Sequence, residues 1–214
     1  MMKKFWLALM MLALSLMSAV STTEAAKAEG VEYVSEEYHY SIMCPSEPRV
    51  LPARVMYDDA SKQGEMLVFE SEGFDVKSGW VIMFDAFDTT MVPNFNKDSK
   101  KFIAQYIDAK KANEGYDRFE LIEVTKGNKG VLGITAKEIE IDEDGDGTID
   151  GVAIADRQEA VIFFRTTLGR CTSVTLLDND ISEPALEKFR AALSTFKEVD
   201  PNDKKSDSKK DKKK

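Results

Sequence analysis

Residues 159–177 read EAVIFFRTTLGRCTSVTLL. Two compact β-rich runs, Glu159–Thr166 and Cys171–Leu177, flank Leu168-Gly169-Arg170, a turn in which glycine accepts a positive φ cheaply. So short a link between two strands predicts antiparallel pairing. Working outward, period-two or β-rich runs recur at Gly151–Ala155, Val131–Ile141, Phe119–Thr125, Trp80–Phe87, Met66–Glu70, Val50–Tyr57 and Tyr38–Cys44. Gly127-Asn128-Lys129-Gly130 reads as a second hairpin turn. Two stretches carry a helical period instead. In the first, Asp98 or Ser99 can cap, Phe102, Ile103, Tyr106 and Ile107 form a stripe, and Gly115 follows the last turn. In the second, Ser182 can cap, Pro184 suits the opening turn, and Leu186, Phe189, Leu193 and Phe196 repeat at three and four residues. The fold class expected is α+β, a largely antiparallel sheet packed by two amphipathic helices.

The ends of the chain differ from this body. Met1-Met2-Lys3-Lys4 is a short positive region, and Phe5–Val20 is an apolar run interrupted only by Ser15 and Ser18, the pattern of a signal peptide. A membrane span needs about 20 apolar residues, and small residues suited to cleavage after Ala25 or Ala28 follow this shorter run. Residues 1–28 are therefore expected to be a signal peptide and the mature protein to be secreted or periplasmic, with no transmembrane span. Residues 200–214 contain no apolar side chain able to pack and are expected to be a disordered Lys-rich tail, either simply solvated or in weak contact with anionic surfaces. Residues 29–199 form the single domain.

Charge sharpens that division. The formal net charge is −9, yet residues 1–26 carry +1 and residues 201–214 carry +4, which leaves −14 on the body. A phosphate backbone would repel such a surface, so nucleic acid is not an expected partner. Cys44 and Cys171 are the only cysteines, and in an oxidising compartment an even pair reads as a disulfide, which could stabilise by about 4 to 5 kcal/mol. Two separate buried thiols are the alternative, because Cys44 alternates with Tyr38, Tyr40 and Ile42 whereas Cys171 alternates with Ser173 and Thr175.

The order of elements carries a resemblance. An exported chain that opens on YHYSIMCPSEP, continues through a mainly antiparallel sheet and closes on a helix ending LSTFK resembles the PsbP-like α/β/α sandwich domains over residues 31–198. That resemblance implies a non-enzymatic accessory or binding role and transfers no site residues.

Asp142-Glu143-Asp144-Gly145-Asp146-Gly147-Thr148-Ile149-Asp150 fits DxDxDGxxD. Oxygen ligands at positions one, three, five and nine, a glycine at six and a carbonyl at seven suit Ca²⁺. The expected ligands are the carboxylates of Asp142, Asp144, Asp146 and Asp150 and the carbonyl of Thr148. Position twelve is Ala153 rather than the bidentate glutamate of an EF-hand, and the flanks alternate as strands. The nine residues resemble the calcium-binding hairpin loops of integrin-type β-propellers, which implies a structural ion. Five carboxylates in nine residues, with neighbours about 6 Å apart, repel by roughly 1 kcal/mol each, a penalty that a dication reverses.

No catalytic set stands out. His39 is the only histidine, with no nucleophile elbow nearby, and it reads as a partly exposed strand residue. Glu70, Glu72, Asp75, Asp85 and Asp88 lie near strand ends, but no spacing selects a pair for acid–base chemistry. The expected function is an exported binding or accessory protein of the cell envelope whose partner is an envelope protein or polymer. Two rivals are a calcium-stabilised hydrolase, favoured by a pocket containing Asp85 or Asp88, and a structural surface protein that oligomerises.

Overall fold

The computed structural model describes residues 30–57, 62–113, 115–141, 147–154, 158–178 and 181–199. The expected signal peptide and the Lys-rich tail lie outside them. At the centre is the hairpin read first: β10 (Ala160–Arg165) pairs antiparallel with β11 (Cys171–Asp178), Arg165 opposite Cys171. Around it stand β3 (Arg49–Pro52), β4 (Gln63–Glu72), β5 (Asp75–Phe84), β6 (Tyr116–Thr125) and β7 (Asn128–Thr135). The seven-stranded order is β3-β4-β5-β11-β10-β7-β6, with every neighbouring pair antiparallel. Gly130 lets two of these strands approach closely, since a Cβ there would lie 2.4 Å from the Phe163 carbonyl oxygen.

Both faces of this sheet are covered. Leu67, Ile82, Leu132, Ile162, Phe164 and Val174 point to one face, where they pack with Tyr40, Ile42 and Cys44 of a smaller sheet and with Leu186, Phe189 and Leu193 of a helix. The smaller sheet has the order β1-β2-β12, from β1 (Val31–Ser35), β2 (Tyr40–Cys44) and β12 (Lys197–Glu198). On the other face, Phe119 and Val131 meet Ile103 of a second helix, and Met66, Val68, Val81 and Leu177 form a further cluster with Ala53. The helices are α1 (Arg54–Tyr57), α2 (Lys100–Asn113) and α3 (Glu183–Leu193). Ser99 caps α2, its hydroxyl accepting from the Phe102 N–H at 3.3 Å. Ser182 occupies the cap position of α3 in extended geometry but makes no side-chain bond there.

Several expectations are revised. The run Val131–Ile141 is two strands, because Thr135 bonds to Glu159 and Ala136 to Gly115, which carries the chain off the sheet into β8 (Glu138–Ile141). β8 pairs only with β9 (Gly151–Ile154) in a separate two-stranded sheet. Val50–Tyr57 is not one strand either. After Pro52 the Ala53 N–H reaches Gly64 and the Met56 N–H turns back to Ala53, closing the turn of α1. The run read as Trp80–Phe87 begins at Asp75 and stops at Phe84, where Asp85 takes φ 54° and breaks the extended path. β1 has no counterpart among the strands expected from the sequence. In α2, Ile103 is buried, Tyr106 and Ile107 are half-buried, and Phe102 faces solvent.

Phe189 is 1% exposed and Phe102 49% exposed. Phe189→Ala is expected to lower the unfolding free energy by about 3 to 5 kcal/mol. Phe102→Ala, on the outer side of the other long helix, is expected to change it by no more than about 0.5 kcal/mol, both read by urea titration.

Candidate functional site

The acidic nine-residue segment closes a hairpin. Ile141 pairs with Gly151, so residues 142–150 join β8 to β9. Thr148 and Asp150 are exposed, whereas Asp142, Asp144 and Asp146 lie outside the described residues. Beside them Ile149, Val152 and Ile154 are all solvent-exposed. Among the described residues no cluster of three His, Cys, Asp or Glu side chains is placed to hold a metal.

The disulfide expectation is corrected: Cys44 and Cys171 are both free, buried thiols. Register explains why. Cys44 packs in the cluster that contains Val174 and Leu176, while Cys171, an odd number of residues along the same strand, shares the opposite face with Leu177. The large sheet lies between the two sulfurs. Burial pushes the Cys44 thiol up to about 12 and raises that of Cys171 as well, so both remain protonated and unreactive.

The remaining sequence candidates do not converge. His39 is an exposed turn residue ahead of β2 rather than a strand residue, with φ 55° and its carbonyl accepting from the Val199 N–H. Asp88 accepts from the Thr90 N–H and hydroxyl, both at 2.8 Å, and these bonds hold its carboxyl below the usual range, which is wrong for a general acid. Glu70, Glu72 and Asp75 gather instead at the β4–β5 tip, where Lys77 lies 2.5 Å from Asp75 and 3.6 Å from Glu72.

Two buried carboxylates, neither singled out by the sequence, organise the interior. Glu65 on β4 accepts from the hydroxyls of Tyr40 at 2.7 Å, Ser35 at 3.0 Å and Tyr33 at 3.1 Å. It thereby ties the small sheet to the large one. Burial, together with the Glu65 charge, raises both tyrosines above their ordinary range. A signal for this site was present, since Glu65 is in phase with the core residues Leu67 and Phe69 along β4. The second carboxylate belongs to Glu198, whose side chain is 1% exposed and accepts from the Leu168 N–H at 2.7 Å. Its other oxygen has no hydrogen-bond partner among the described residues and lies 3.8 Å from Arg170 Nη1. Arg170 in turn donates to the Tyr38 carbonyl at 2.6 Å and stacks 3.6 Å from the Phe84 ring centre. Next to Glu198 opens a cavity of 280 Å³, walled by Phe164, Phe196, Thr125, Thr166 and Lys197. Asp85 and Asp88 do not line it.

With this geometry in place, solved structures offer a comparison. The chain is similar to a cyanobacterial PsbP. The solution structure of PsbP (CyanoP) from Synechocystis sp. PCC 6803 aligns with TM-score 0.42 and 10% identity over 86% of this chain and 99% of that one. A crystal structure from Bacteroides thetaiotaomicron VPI-5482 aligns with TM-score 0.40 and 11% identity over 81% of this chain, which spans 50% of that longer chain. No family model matches the chain. No curated protein matches it either. Among the described residues, no helix is long and apolar enough to cross a membrane.

Two measurements follow from the buried groups. The unreduced, denatured mature protein is expected to show two free thiols per chain, and the native protein almost none. The raised tyrosines make stability fall with alkali: above their ordinary value of 10.0 an unfolded tyrosine releases a proton that the folded one retains. Stability is therefore present below that pH and declines above it. Tyr40→Phe is expected to cost about 1.5 to 3 kcal/mol near neutral pH and to flatten the alkaline decline, both measurable by denaturant titration across pH.

Proposed function

We propose that this chain is an exported, non-enzymatic binding or accessory protein of the cell envelope, acting through surfaces and carrying Ca²⁺ in the loop between β8 and β9. The observation that carries the reading is the β8–β9 hairpin, which sets the exposed apolar residues Ile149, Val152 and Ile154 beside a nine-residue acidic connection. Apolar side chains exposed together, rimmed by charge, are the usual form of a protein-contact surface. In this reading Asp142, Asp144, Asp146 and Asp150 supply carboxylates and Thr148 its carbonyl. The ion acts structurally by cancelling the repulsion among five carboxylates and fixing the hairpin's course. It moves the body charge from −14 to −12.

Calorimetry is expected to show one Ca²⁺ site with affinity on the order of 10⁻⁴ to 10⁻³ M, and no heat in an Asp144→Ala, Asp146→Ala variant. At a hundredfold excess over its dissociation constant the ion would stabilise the fold by about 2.7 kcal/mol. Absence of any Ca²⁺-dependent heat in the parent protein removes the metal. Separately, Val152→Asp with Ile154→Asp is expected to release the protein from an envelope fraction that retains the parent, while leaving its unfolding midpoint unchanged. Equal retention of the two removes the docking role.

A further inference from the structure

Two hairpins leave the large sheet by the same end. Asp178, which closes β11, pairs with Ser78 near the start of β5, and Ala160, which opens β10, pairs both with Leu176 near the close of β11 and with Ile134 near the close of β7. The β4–β5 turn and the β8–β9 hairpin that joins β7 to β10 therefore share that end. Their strands stand two or three places apart in the sheet, about 10 to 14 Å at the spacing of neighbouring strands. Nor does β9 begin far away. Glu138 is three residues past Thr135, at most about 11 Å, and Ile154 is its cross-strand partner, about 5 Å further. β8 and β9 pair only with each other.

Both hairpins set apolar side chains in solvent among carboxylates. Residues 71–76 project past the last pairs that β4 makes with β3 and β5 with β11, and at their tip Glu72 pairs with Asp75 across Gly73-Phe74. Gly73 at φ 62° supplies what the turn requires, and the second turn position tolerates most residues. The Phe74 ring there is 106% exposed, which the turn does not need and which lowers solubility. On the other hairpin Val152 and Ile154 lie two residues apart on one side of β9, both exposed, with the exposed Glu138 opposite Ile154. Residues 70–77 carry −2 and residues 137–154 carry −6, or −4 with Ca²⁺ in the loop. Single exposed apolar residues need no explanation, but three on neighbouring projections at one end of a sheet, each beside acids, have the composition of a contact surface.

We propose that the two hairpins form one docking surface for a basic protein, whose lysines or arginines meet the acidic rims while its apolar side chains cover Phe74 on one arm and Val152 and Ile154 on the other. Charge complementarity selects the partner: the same carboxylates repel a phosphate backbone or an anionic membrane. The apolar side chains supply the anchors and the acids set which surfaces approach. This inference rests on the reading of β9 as a contact surface given above, and adds to it a second arm and the charge of the partner.

Fluorescence anisotropy of a labelled amphipathic peptide of lysine and leucine, about 18 residues long, titrated with the full mature chain at low salt, tests it. The parent protein is expected to bind this peptide, and to bind poorly both its glutamate-for-lysine and its serine-for-leucine counterparts. Phe74→Ser, and separately Val152→Ser with Ile154→Ser, are each expected to weaken binding about tenfold with no change in unfolding midpoint, since all three side chains are exposed. Leu121→Ser, an exposed apolar residue on β6, is expected to leave binding unchanged. Glu72→Lys is expected to weaken binding more than Asp108→Lys, the same change of net charge on an exposed position of α2. Equal binding of the serine-for-leucine peptide, or equal effects of Glu72→Lys and Asp108→Lys, overturns the proposal in favour of attraction to net charge alone. An effect of the β9 substitutions without one of Phe74→Ser removes the second arm and leaves the contact surface on β9 standing. Phe74-dependent binding to phosphatidylcholine vesicles by a protein that ignores the peptide overturns the proposal in favour of a lipid contact.

Discussion

The constraint on which the structure rests is that β5, β11, β10 and β7 are buried on both faces. Such strands cannot alternate cleanly between apolar and polar, and AVIFF in β10 and VTLL in β11 are accordingly near-continuous. Each face then requires its own cover. One is closed by α3 with the small β1-β2-β12 sheet, the other by α2 and the shorter cluster around Ala53. The layered arrangement follows from this double burial, and so does the fate of the cysteines, which a covered sheet holds apart as inert thiols.

Closing a sheet on both sides also traps charge. Glu65 sits inside the interface between the two sheets, where a bare carboxylate would be expensive, and three hydroxyls replace the water it has lost. Glu198 meets the same problem with a backbone N–H and an arginine held by an aromatic face and a carbonyl. Both sites fasten the small sheet, the first through Ser35 and the tyrosines of β1 and β2 and the second through β12. The polar side chains that look most like chemistry are thus part of how the layers stay together. Away from these buried groups, Phe74 on the β4–β5 hairpin and Val152 and Ile154 on β9 stand in solvent.

Much of the strand order was legible because hairpins announce themselves locally. Gly127 and Gly169 take the positive φ that their turns require, and the strands on either side pair as the short links demand. What local pattern could not show was where a strand leaves its sheet. Residues 131–141 look continuous, and only the bonds from Thr135 to Glu159 and from Ala136 to Gly115 divide them. Phe102 and Ile103 are equally apolar neighbours in α2, yet the helix meets the sheet along a line that buries one and leaves the other in water.

The sequence by itself determined the antiparallel hairpins, the two long helices and the acidic connection between two short strands. These depend on residues close together in the chain, where φ preferences and apolar period act directly. Only the tertiary structure decided that Cys44 and Cys171 lie on opposite sides of a sheet, that Glu65 is sheltered by three hydroxyls, and that Phe74 stands clear of everything around it. Each is a relation between distant segments, set by which faces the layers bury, and no single stretch of residues contains it.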